Sequence, residues 1–152
     1  MSWNNEEIRR LVGRTIKRIY MNEDYLKFET DLGNVVFSVY GDCCSHSYFH
    51  DFIGLEKLLK GNPVVSVRPI GLNESDSKVP VNRNDSDVIS CYGFEIVTED
   101  TRFGEVTSVF SFRNSSNGWY GGSLENAPDD TVVLPKVTGD VLEAAHAEET
   151  TL

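Results

Sequence analysis

The densest chemistry in the chain lies in "YGDCCSHSYFHDF", positions 40 to 52. Cys43, Cys44, His46 and His50 carry the sulfur and nitrogen donors that a tetrahedral zinc ion takes. Their spacing argues against a metal. Zinc-binding pairs are set two to four residues apart so that one turn clasps the ion, whereas adjacent cysteines on an extended chain point apart. A cysteine nucleophile with a histidine base is the second reading, and it needs a depressed thiol pKa and an orienting partner that the sequence does not display. The third is a polar recognition turn. If the chain passes here from a strand into a helix, Asp42 and Ser45 stand at the helix's positive end, where backbone N–H groups can face an anion. Helix capping by the same two side chains is the competing explanation, and the sequence does not separate them.

A second loaded stretch is "FRNSSNGWYGG". Asn117-Gly118 is a turn signal, and the glycine pair at 121 and 122 permits close backbone approach. Trp119 and Tyr120 put two large rings beside it. If Phe110 and Phe112 face a core, Arg113 points the other way. An arginine, two amides and stacking rings make a plausible nucleotide pocket without catalytic machinery. The alternative is an aromatic packed under the turn and an arginine paired on the surface. Arg68, Arg83 and Arg102 are the other arginines that could add positive charge to such a pocket. Dinucleotide, P-loop, nucleophile-elbow and zinc-protease motifs are missing. The expectation is a binding protein without catalytic residues, metal or cofactor.

The elements that would position these residues are mostly strands. "TIKRIYMNEDYLKFETDLGNVVFSVYG" reads as a three-strand meander. In "SYFHDFIGLEKLLKGNP" the apolar spacing shifts to three and four, which predicts a helical turn and then a short helix from Gly54. "VVSVRPIGL" is a strand that Pro69 confines to an edge or a bulge. Residues 72–87 form a polar insertion. "VISCYGFEIVTED" and "GEVTSVFSFRNSS" make a hairpin, and a short strand follows the Gly pair. With a short helix near "NNEEIRRLVG", the sum is an α+β fold. It comprises one twisted antiparallel sheet of six to seven strands, an N-terminal helix and a central helix. Residues 1–127 form a single domain, and 128–152 an acidic tail, weakly helical at most and frayed.

Charge limits the partners. The net charge is −10, unsuited to binding nucleic acid through phosphates. Seven acids against Lys136 alone after position 122 give −6 there, and so −4 for residues 1–122. No apolar run is long enough for a membrane span or a signal peptide, and three cysteines argue for reduced thiols, so a cytoplasmic protein is expected.

"LVGRTIKRI", "VYGDCCSHSYFHDFIGLEKLL" and "FSFRNSSNGWYGGSLE" together resemble a group of small phage and prophage proteins. That group is similar in turn to the first described anti-Thoeris family. The likeness covers about residues 10 to 125. It implies an oligomeric phage protein, working in the host cytoplasm, that binds a cyclic ADP-ribose signal between protomers and holds it uncleaved. By that likeness Arg113 would meet phosphate, and Asn117, Trp119 or Tyr120 of the turn "SNGWY" would contact base or ribose. Three features depart from the pattern: Trp119 in place of tyrosine, the insertion at 72–87 and the acidic tail. The competing reading is a small phage accessory protein that contacts a host factor through its tail or a sheet edge.

Overall fold

The computed structural model describes residues 6–41, 45–71, 88–116 and 122–150. The meander forms as its alternation requires. In β2 (Tyr25–Thr30) Leu26 and Phe28 turn inward, and Tyr25, Lys27 and Glu29 outward. β1 (Ile16–Met21) and β3 (Gly33–Gly41) flank it in antiparallel register. β8 (Gly122–Ala127) extends this sheet beyond β3, and β9 (Lys136–Val137) extends it beyond β1. The second sheet holds β4 (His46–Ile53), β5 (Val64–Gly71), β6 (Val88–Asp100) and β7 (Gly104–Ser116) in the order β4-β7-β6-β5. Pro69 accordingly lies on an edge strand, where a missing N–H costs no ladder bond.

The inner faces of the two sheets share one core. Phe28 and Phe37 meet the layer of Phe49, Phe52, Phe94, Phe110 and Phe112, all buried. The Phe28 and Phe52 rings cross the gap with centroids 6.1 Å apart. Burying such rings contributes on the order of 2 kcal/mol each, with aromatic geometry adding to it.

The α+β expectation is therefore corrected: among the described residues the fold is nine strands in two antiparallel sheets with very little helix. The N-terminal helix is only a four-residue 3-10 turn, Ile8–Leu11, whose two apolar ends are buried. The central helix, α1, is one turn, Leu55–Leu58. The stretch before it is strand β4, and a bulge explains the misleading spacing. Phe49 opposes Phe112 and Phe52 opposes Phe110, with His50 as the extra residue between Phe49 and Asp51. One inserted residue puts two core side chains three apart on the same face of a strand, which imitates helical period.

The segment after Pro128 is packed against the rest of the fold as far as Ala147. Val133, Val137, Val141, Ala144 and Ala147 are buried, and Ala144–Thr150 is a 3-10 stretch kinked at His146. Val141 and Phe52 exchange backbone bonds of 2.8 and 2.9 Å along the free edge of β4. Lys27 Nζ and Asn22 Nδ2 donate to the carbonyls of Thr131 and Leu134, both at 2.9 Å. The apolar residues here follow no helical or strand period, so the sequence pattern concealed them. Among the described residues no helix is long and apolar enough to cross a membrane.

Candidate functional site

β7 is an interior strand, so its side chains meet neighbours on both sides. Phe110 and Phe112 enter the core, and alternation turns Ser111 and Arg113 to the opposite face. There Arg113 stands between Tyr48 of β4 and Cys91 of β6, its two cross-strand partners. This face is turned away from the other sheet, yet Arg113 is only 2% exposed. Its Nη1 has no hydrogen-bond partner among the described residues, and no carboxylate of theirs forms an ion pair with it. An ionised group removed from water without a counter-charge costs several kcal/mol. The arrangement is what a bound anion would relieve.

The groups around Arg113 feel its charge. His50, buried at the β4 bulge, has its pKa lowered, first by burial and then by the Arg113 guanidinium, with Asp51 and Glu143 acting the other way. Burial raises the Tyr48 hydroxyl, and Arg113 partly offsets the shift. Ser111 donates to Asp51, which occupies that carboxylate beside the arginine. The face around Arg113 thus carries its guanidinium, a neutral imidazole, a neutral phenol and the Asp51 carboxylate that Ser111 engages, and the guanidinium is the group suited to phosphate oxygens.

The residue after Arg113 faces the other way. Asn114 is fully buried at the end of the gap between the sheets. Its Nδ2 donates to Ser47 Oγ at 2.9 Å and to Ser45 Oγ at 3.1 Å, and Ser47 Oγ donates in turn to the Tyr40 carbonyl at 2.8 Å. Gly41 and Gly122 form the opposite wall, and Gly122 N donates to the Tyr92 hydroxyl at 3.3 Å.

The family model described as a domain of unknown function, DUF7448, matches residues 9–125. The chain belongs to that family. It is also similar to an uncharacterized protein of Acanthamoeba polyphaga mimivirus, at 34% identity over 115 residues, covering 72% of this chain and 84% of the viral one. No solved structure matches. The matched span includes both sheets up to β8 and the whole neighbourhood of Arg113 and Asn114.

Of the residues singled out from sequence, Arg113 and Ser45 lie close in the fold but on opposite sides of β7. Ser45 accepts from Asn114, and no helix begins there: β4 starts at the next residue. The helix-end role suggested for Asp42 and Ser45 therefore lacks its helix. Arg68 shares the Arg113 face but stands two strands across and four residues along, about 16 Å away at ~4.8 Å per strand and ~3.3 Å per residue. Its guanidinium pairs with Glu95. Arg102 lies exposed in the β6–β7 turn. Asp42, Cys43, Cys44, Arg83, Asn117, Trp119 and Tyr120 lie outside the described residues. Among the described residues no three potential metal ligands cluster.

Sequence reading passed over Tyr48, Ser47 and Asn114, and weighed His50 only as a metal ligand or as the base of a cysteine nucleophile. A signal for Asn114 was present: it and Ser116 are in phase with Phe110 and Phe112, so two polar residues continue a core stripe. Elsewhere, a cavity of about 410 Å³ opens at the distal end of the β6–β7 hairpin, between Lys57, Lys60, Phe103 and Glu105. None of its lining side chains is a buried polar group without a partner. It makes a weaker claim to a charged ligand.

Proposed function

We propose that this protein binds and sequesters a phosphorylated, nucleotide-derived signal, such as glycocyclic ADP-ribose, without cleaving it. The observation that carries this reading is Arg113: a guanidinium 2% exposed, without a paired carboxylate among the described residues, flanked by Tyr48 and Cys91 and within electrostatic reach of a neutral His50. A phosphate there would meet a fork of preorganised donors in a low-dielectric setting, where such bonds are strongest. The resemblance to anti-Thoeris proteins supplies the ligand class, and a viral relative accords with an anti-defence role in a host cytoplasm. Assembly into a homo-oligomer belongs to the same proposal.

A sponge must return its ligand intact. Protein mixed with glycocyclic ADP-ribose, freed of unbound ligand by filtration and then heated should release near-stoichiometric, unaltered ligand to the mass spectrometer. Failure to retain it would exclude this ligand. Recovery of a hydrolysed product would mean an enzyme instead.

A further inference from the structure

Burial is uneven on the sheet face that carries Arg113, and this supports an inference that rests on the binding function proposed above and deepens it. Strand alternation puts Ser111, Cys91, Ile89, Tyr48 and His46 on that face with the arginine. Toward β6 the neighbours Cys91 and Ile89 are buried, and along β7 so is Ser111. Toward the start of β4 the cover falls away: Tyr48 is half-buried and His46 is exposed. The other half-buried neighbour, Asp51, presents a carboxylate that would repel an anion. An anionic molecule on its way to the guanidinium therefore passes His46.

Two rings line that approach. His46 stacks on Tyr48, with centroids 5.4 Å apart and planes inclined by 24°. Tyr48 is the cross-strand partner of Arg113, and His46 stands opposite Ser115, one strand across and two residues along from the arginine. At ~4.8 Å per strand and ~3.3 Å per residue, that is about 8 Å between backbone positions. Such a spacing leaves room for one sugar between a phosphate on the guanidinium and a planar base on the imidazole. Because His46 shares the arginine's face, one small ligand can touch both.

We propose that the His46 ring, backed by Tyr48, stacks against the nucleobase of the bound molecule while Arg113 holds its phosphate. Packing on Tyr48 already restricts the imidazole, so less side-chain freedom is lost when a base lands on it. The guanidinium takes phosphate whatever is attached to it; the rings favour phosphates that carry an aromatic base.

His46 is exposed, so replacing it leaves the core intact, and two variants separate the ring from its nitrogens. In calorimetric titration His46→Ala should bind glycocyclic ADP-ribose at least about 5-fold more weakly than wild type, and His46→Phe, which keeps a ring, should stay within about 3-fold. Wild-type affinity in the alanine variant would overturn the assignment while leaving the Arg113 reading in place. Equal weakening in both variants would also overturn it, since an imidazole nitrogen and not the ring face would then matter. The ring protons of His46 give a readout that a merely supporting role would not move. The chain has three histidines, and on saturation with glycocyclic ADP-ribose the His46 resonances should shift upfield in the ring current of the base. Resonances that stay in place would overturn the proposal. Wild-type protein that binds no glycocyclic ADP-ribose would overturn this inference and the proposed function together.

Discussion

At position 113 a methionine would fill the same volume without the cost of desolvating a guanidinium. The account therefore predicts opposite effects on stability and on binding. Arg113→Met should leave the ligand-free protein at least as stable as wild type, with a gain of about 1–4 kcal/mol in urea denaturation. A loss of stability would mean that the guanidinium is already satisfied in the empty fold. His50 gives a second prediction at this scale. Its folded pKa lies below the unfolded value of about 6.5, so the unfolded chain takes up the proton first as pH falls. Its contribution to stability is complete above the unfolded pKa and declines as pH drops toward the folded one. The urea midpoint should fall between pH 7.5 and 5.5, and His50→Gln should flatten that fall. An equal slope in the variant would assign the pH dependence to other groups. Arg113 was legible as a residue pointing away from the core, because strand alternation alone requires it. Its burial was not legible, since that depends on what neighbouring strands present.

At the scale of elements, β2 and the β6–β7 hairpin were readable because their periods are regular. β4 was not, because the bulge at His50 gives Phe49 and Phe52 a helical spacing. Ser45 was likewise assigned to a helix end when it precedes a strand. What the bulge does for function is visible only in three dimensions: it brings His50 near enough to Arg113 for their charges to interact. The glycines of β3 and β8 belong to this scale too, since they set how closely two strands approach the serine row. Gly122→Ala would force a Cβ to 2.4 Å from Ser47 Oγ. Destabilisation of about 1–3 kcal/mol is expected in chemical denaturation, as for other overpacked sites. A neutral result would show that β8 can move outward freely.

Across the whole molecule, the chain after Pro128 joins the two sheets from outside. It adds β9 to one, covers the free edge of β4 in the other at Val141, and buries three valines and two alanines. Charge counting treated this segment as a solvated tail, because its acids are conspicuous and its apolar residues unevenly spaced. Removing residues 128–152 should destabilise the protein by about 4 kcal/mol or more, at roughly 1.5 kcal/mol for each valine. A truncated chain that melts at the wild-type temperature would contradict the packing described. The covered edge also bears on the protein-contact alternative, since part of β4's ladder is already engaged by its own chain.

All of this converges on whether the guanidinium at 113 is there to take a phosphate. Calorimetric titration of glycocyclic ADP-ribose into wild-type protein and into Arg113→Met, side by side, tests it most directly. Wild type should bind, and the variant should bind about 30-fold more weakly or worse, the loss expected when a buried charged hydrogen-bond partner is removed. Equal affinities in the two proteins would contradict the account.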